Sequence, residues 1–422
     1  MHAPRRGLVA SALALTLAFL LSPADAQQPT GEPIKIGFSM ALTGPLSPNG
    51  KSALLGMHIW EEETNAKGGL LGRPVKLIYY DDQSQPAPVP GIYTKLLDID
   101  KVDLVIGPYA TVPAAAAMTV IVQRGKVFII LFGLAVNTEF NYPKFFAMIP
   151  SGPDTKPSFT AGFFEVAAAQ NPKPQTVALI AADQEFSKNS CEGARDNAKK
   201  AGMRVVYDRT YPPNTADFSP VIRGIQAANP DVVTVCSYPL DSVGVVRAVS
   251  ELNYKPKMIG GAMVGLQATA IKRQLGALLN GWVNYDTWVP SKQMMLPSTE
   301  EFLKKYQARA GAEGVDPLGY YLGTWGYAYI QVLGDAVQAT KSLKDDTLAD
   351  YIRKTTFKTI MGDIKFGKNG EWEKGRMLQV QYHDLKSGEL DQFRGMDNQT
   401  VLTPAEYKTG DVIYPFEKAR PQ

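Results

Sequence analysis

Short apolar runs alternate with helix-length stretches along most of this chain, and the alternation begins twice. "IKIGFSM" precedes a helical stretch over about 51–66. "VKLIYYDD" precedes "VPGIYTKLLDID", "VDLVIGP" precedes "AAAAMTVIVQRG", and "VFIILFG" follows. A strand that is apolar on both faces is covered on both faces, so this pattern predicts a parallel, doubly wound sheet. "MIPSGPDTKPS", residues 148–158, interrupts it with three prolines and a glycine. "TVALIAAD", "MRVVYDRTYP", "DVVTVCSYP" and "KMIGGAMVG" then alternate with helical stretches near 191–201, 218–228 and 243–252. Two successive open α/β units predict two lobes with a cleft between them.

The remaining chain changes character. "GWVNYDTWVP" is aromatic, "STEEFLKKYQARAG" reads as a charged helix, and "YYLGTWGYAYIQVLGDAVQAT" as a core-facing one. "DIKFGKNGEWEKGRMLQVQYHD" reads as a hairpin with a terminal strand, and the tail from Thr403 as extended. At the other end, Arg5 and Arg6, the apolar "GLVASALALTLAFLL" and Ala24-Asp25-Ala26 have the layout of an export signal cleaved near Ala26. The apolar stretch is short for a membrane anchor, so the mature chain is expected in the periplasm. Its 42 basic and 40 acidic residues give no argument for a nucleic-acid partner. An oxidising compartment permits a disulfide between Cys191 and Cys236, with two separate buried thiols as the alternative.

Motifs for chemistry are sparse. "GPLSPNGKS" follows a strand and precedes a helix, as a phosphate-binding loop does, but has five residues between its first Gly and the Gly-Lys pair where that loop has four. Pro45 and Pro48 also lack the N–H such a cradle uses. His58 and His383 belong to no metal-spacing pattern. The serine of "GFSMA" lies inside a strand and not at a nucleophile elbow. Asp81 and Asp82 are adjacent on a strand and face opposite ways, one as an inward cap and one solvated. No nucleophile, base and orienting group can be assembled, so the chain is expected not to be an enzyme.

Doubly wound lobes bind ligands beyond the carboxyl ends of their strands. Those ends fall at 41–50, 107–111, 132–135, 182–186, 236–241 and 260–264, and carry small residues, hydroxyls, an amide and aromatics. The motifs "IKIGFSMALTGPLSPNG", "GGLLGRPVKLIYYDD", "VDLVIGP", "TADFSPVIRGIQAANPDVV" and "GYAYIQVLGDAV" occur in order along nearly the whole mature chain. With them the chain resembles the type I periplasmic solute-binding proteins of the branched-chain amino acid (leucine/isoleucine/valine) family. The resemblance implies two α/β lobes, 31–150 plus 288–360 and 155–284 plus 363–422, joined by three crossings. It implies a monomer without cofactor or metal that delivers a small solute to a membrane permease of the ATP-binding-cassette type.

The resemblance also implies a pocket. The hydroxyl for an amino acid's carboxylate falls on Thr111, after Tyr109, and the supporting loop on Gly133, Leu134 and Ala135, where a usual Thr has become Ala. Asn49 falls at an aromatic position of the first loop, and Phe186 and Tyr238 at those of the second lobe. Trp288 near a crossing offers a further ring. The acid expected to pair with the solute's ammonium falls on Ala262. A buried ammonium without its carboxylate loses about 3–5 kcal/mol, so the pattern favours an aromatic carboxylic acid of the benzoate or phenylpropenoate type. Asp241 or Asp286 could supply the missing acid, in which case the solute is an amino acid or amide. From a different class, the chain could be a sensory ligand-binding protein. The local readings are simpler: Thr111 as a helix cap, Phe186 and Tyr238 as core, Asn49 as a turn residue and Trp288 as hinge contact.

Overall fold

The structure is a computed structural model that describes residues 28–213 and 215–420. The export signal read in residues 1–26 lies outside them. The first unit runs β1 (Ile34–Met40), α1 (Ser47–Ala66), β2 (Val75–Asp81), α2 (Val89–Asp98), β3 (Leu104–Val105), α3 (Thr111–Arg124), β4 (Phe128–Ile130), α4 (Asn137–Phe140) and β5 (Phe145–Ala147). The second begins with α5 (Thr155–Ala168), β6 (Thr176–Ala182), α6 (Glu185–Lys200), β7 (Arg204–Tyr211) and α7 (Ser219–Ala228). It continues with β8 (Val232–Ser237), α8 (Pro239–Glu251), β9 (Met258–Met263), α9 (Thr269–Leu275) and β10 (Val283–Asp286). The chain closes with α10 (Pro297–Glu313), α11 (Leu322–Thr340), α12 (Asp345–Lys354), β11 (Thr356–Thr359), β12 (Gly362–Lys365), β13 (Leu378–Tyr382) and β14 (Gln399–Thr403).

Two lobes form around two sheets. In the first, β1 lies between β2 and β3, all parallel. The Gly107 N–H donates to the Ile129 carbonyl at 2.7 Å, joining this group to the parallel pair β4–β5. The second sheet has the order β14-β13-β10-β9-β8-β6-β7. Its strands β6 to β10 are parallel because helices cover both faces, and β8 and β9 are buried along their whole length. β13 and β14 add an antiparallel edge. The hairpin expected over 363–384 is therefore split: β12 pairs back with β11, while β13 crosses to the large sheet.

Helix α11 returns to lie against α1 of the first lobe. A side chain at Gly56 would place its Cβ 2.2 Å from the Gly323 carbonyl oxygen, so only glycine permits this approach. The glycines of the aromatic-rich helix are thus a contact surface, which explains their place in a core helix.

The near-phosphate loop is resolved locally. Helix α1 starts at Ser47, four residues before the expected Lys51, with Pro48 in its first turn, where a missing N–H is harmless. Gly50 is helical and lies against the Ala41 carbonyl, where a Cβ would come within 2.1 Å. Asp82 is buried, accepting from the Ser39 hydroxyl and the Ser84 N–H, and burial pushes its carboxyl up to about 6. Asp81 is not simply solvated: it accepts from the Leu42 and Thr43 N–H groups and the Thr43 hydroxyl, holding the loop that leads into α1. The tail beyond β14 is anchored, with the Phe416 N–H bonded to the Lys257 carbonyl and its ring against Trp282. Cys191 and Cys236 are separate buried thiols.

Candidate functional site

Two chain reversals of the first lobe meet at one corner. Between β3 and α3, Ala110 has φ 81° and ψ 156°, a region that L side chains rarely occupy. Its N–H donates to the Phe132 carbonyl at 2.8 Å, tying it to the loop after β4. That reversal delivers Thr111 as the first residue of α3. Thr111 caps nothing: its hydroxyl oxygen accepts the Leu134 N–H at 3.0 Å, and no side chain caps the helix. The Thr111 O–H can still donate. The first N–H groups of α3 have no partner within the helix and carry its positive end. The corner therefore gathers hydrogen-bond donors at the positive end of a helix.

Rings face it from the second lobe. Phe186 begins α6, Tyr238 precedes α8 and Tyr285 lies at the end of β10. Phe186 and Tyr238 meet edge to face at 5.8 Å, and Phe159 supports both Phe186 at 5.2 Å and Tyr285 at 4.8 Å. Tyr321, just before α11, lies 3.4 Å from the Tyr285 hydroxyl and against Phe132. Burial raises the Tyr285 and Tyr321 hydroxyls well above their ordinary range, so both stay neutral. The cavity between corner and rings is about 30 Å³. A second cavity of about 560 Å³ lies beside it, and the two share Ala110 and Tyr238.

Of the residues singled out in the sequence, Tyr109, Thr111, Gly133, Phe186 and Tyr238 line the inner cavity. Four do not. Asn49 donates from its amide to the Tyr109 hydroxyl at 2.8 Å, bracing that ring from behind. Ala135 lies one residue past the lining loop, in a left-handed conformation with φ 58°. Ala262 is within β9, paired with Cys236, and the chain reaches the cavity only at Val264. Trp288 donates its indole N–H to the Met294 carbonyl and lies against Tyr320. Phe132 and Val264 fall within the strand ends read from the sequence, whereas Ile149, Tyr285 and Tyr321 were missed. Tyr285 could have been found as the carboxyl end of a strand; Tyr321 carries no such signal, because only the return of α11 brings it there.

No acidic side chain lines the inner cavity. Asp286 is fully buried nearby and pushed up to about 6 by desolvation, but it accepts the Thr287 and Trp288 N–H groups at 2.7 and 3.3 Å and faces neither cavity. No group of His, Cys, Asp and Glu among the described residues could hold a metal ion. The arrangement can bind and release a small solute; it contains no paired nucleophile and base.

Residues 33–383 match the family model described as Periplasmic binding protein. The Leu/Ile/Val-binding protein homolog 7 of Brucella suis biovar 1 (strain 1330) is 27% identical over 386 residues, covering 89% of this chain and 94% of that protein. A leucine binding protein, LivK, of Thermotoga maritima MSB8 shares the fold with a TM-score of 0.71 at 22% identity, over 84% of this chain and 96% of that one. An ABC transporter solute binding protein of R. palustris, in complex with 4-hydroxybenzoate, shares it with a TM-score of 0.71 at 15% identity, over 91% and 97%. The chain belongs to the periplasmic binding protein family and is related to the Leu/Ile/Val-binding proteins.

Proposed function

We propose that this chain is the receptor of an amino-acid importer, capturing a solute of the leucine, isoleucine or valine kind and presenting it to a membrane permease. The observation that carries this reading is the corner at Thr111. There a free hydroxyl proton and uncapped helix N–H groups stand where a carboxylate would gain charge-assisted hydrogen bonds. Tyr238, which lines both cavities, and the apolar residues of the larger one offer surface for the aliphatic part. The near-full-length Leu/Ile/Val-binding relative supports the same class of solute. Lobe closure over the solute would select a form already accessible through motion at the three crossings.

A second reading, an aromatic carboxylic acid, has one observation in its favour. The inner cavity is walled by rings and has no acid to meet an ammonium. The 4-hydroxybenzoate complex of the R. palustris protein is consistent with it through fold alone. Titration calorimetry with leucine, isoleucine, valine and 4-hydroxybenzoate separates the two. Tighter binding of the aliphatic amino acids supports the first reading; tighter binding of 4-hydroxybenzoate replaces it with the second.

A further inference from the structure

The inner cavity is too small for a whole amino acid. About 30 Å³ suits a group of carboxylate size, given that one water needs on the order of 10–15 Å³ by a comparable measure. The rest of the solute must reach into the adjoining cavity of about 560 Å³. The walls of that space are largely apolar, with Pro45, Leu46, Pro113, Pro213, Pro239 and Leu240. Leu240 is 68% exposed, unusual for a large aliphatic side chain. Among the described residues lining this space, one side chain carries a formal charge: Asp241.

Asp241 serves its own lobe through one oxygen, in the capping box of α8. It is the third residue of α8, a position from which a carboxylate can reach back to the chain before the helix. Its Oδ2 does so only at long range, accepting the Tyr238 N–H at 3.4 Å and the Tyr211 hydroxyl at 3.5 Å. No described residue donates to its Oδ1. The residue as a whole is 7% exposed, and burial raises its carboxyl above the usual carboxylate range. A buried carboxylate with an uncommitted oxygen gains strongly from a cation. Asp286, the other acid near the site, lines neither cavity, and its Oδ1 accepts the Thr287 and Trp288 N–H groups.

We propose that Asp241 is the specificity-determining residue that pairs with the solute's ammonium, taking from α8 the part that the β9 segment leaves empty at Ala262. This rests on the amino-acid reading above. It assigns the head of the solute to the first lobe and its cationic nitrogen to the second, so that a bound amino acid bridges the cleft. A solute without that nitrogen would engage the Thr111 corner alone.

The test compares leucine with 4-methylpentanoate, the same carboxylate and side chain lacking the ammonium. By calorimetry on the unmutated protein, leucine should bind at least roughly tenfold tighter, the lower end for a hydrogen bond to a charged group. Asp241→Asn keeps the shape and an acceptor oxygen. It should weaken leucine by roughly ten- to a hundredfold while leaving 4-methylpentanoate within about twofold. Equal binding of the two solutes by the unmutated protein would overturn the proposal without needing the variant. Leucine affinity unaffected by Asp241→Asn would also overturn it, as would equal losses for both solutes, which is what a purely structural helix cap would give. Binding of neither solute, or of 4-hydroxybenzoate alone, would instead remove the amino-acid reading and this proposal with it.

Discussion

The two walls of the cleft are made of different material. The first-lobe wall sets chain geometry beside the rings of Tyr109, Phe132 and Tyr321: a strained Ala110, the uncapped start of α3 and a loop held by one hydroxyl–amide bond from Leu134 to Thr111. The second-lobe wall is mostly side chain, with the rings of Phe186, Tyr238 and Tyr285. None of those three, nor Val264, has a positive φ. The difference teaches a division of labour. A carboxylate is the same in every amino acid, so the wall that would meet it can be set by chain geometry. The body of the solute varies, and the wall that would meet it consists of groups that a single substitution changes.

The largest expected effect tests the joint between the walls. Glu371 lies beside the crossing that follows β5, with the Ser151 hydroxyl 3.4 Å from its Oε2, and burial pushes its carboxyl up from 4.5 to about 8. The folded form then holds a proton that the unfolded chain releases between about pH 4.5 and 8, so stability falls as pH rises through that window. At about 1.4 kcal/mol per unit, the loss is on the order of 5 kcal/mol. Glu371→Gln should flatten this part of the stability–pH profile and be the more stable form at pH 8, as read by denaturant midpoints. An unchanged slope would mean that the joint is wetter than its burial implies.

Next is the first wall. Thr111→Ala and Thr111→Val should each weaken binding of a carboxylate solute by roughly ten- to a hundredfold, from about 1.5–3 kcal/mol for a hydrogen bond to a charged group. Both also release the Leu134 N–H, so the ligand-free melting temperature should drop. A fall in melting temperature with affinity held within about twofold would make the corner a purely structural joint and dissolve the contrast between the walls.

The smallest effect concerns the strain confined to that wall. Ala110→Gly should stabilise the ligand-free protein by about 1 kcal/mol, since a non-glycine residue in this conformation costs about 1–3 kcal/mol and glycine's extra freedom returns part of the gain. Differential scanning calorimetry would read a small rise in melting temperature. A drop would show that the alanine methyl supports the loop more than its backbone is strained.

Much of the fold is legible in the sequence. Strands β1, β2, β6 and β8 are near-continuous apolar runs, and α/β alternation with a restart at 148–158 leaves two lobes as the simplest arrangement. Helix starts are less legible. Helices α1, α6 and α8 begin four to six residues before the expected 51, 191 and 243, because each opens on polar residues or proline, where apolar periodicity has not begun. The candidate site divides the same way. Thr111, Gly133, Phe186 and Tyr238 could be found because they follow strand ends. Trp288 and Asn49 were misplaced because a large or polar side chain near a cleft can as easily support a neighbour as face the ligand.

What the sequence determined by itself is what depends on near neighbours in the chain: strand and helix type, the order of the two units and the strand ends where a ligand can sit. What only the tertiary structure decided depends on segments far apart in the chain. Tyr321 reaches the cavity because glycine contacts let α11 return against α1. Val264 lines it in place of Ala262 because β9 runs to Met263 before the chain can turn. Asp241, and not Asp286, faces open space because the start of α8 borders the large cavity while Asp286 ends β10 inside the second sheet. Local propensity carries no information about any of these, since each is set by which distant surfaces bury one another.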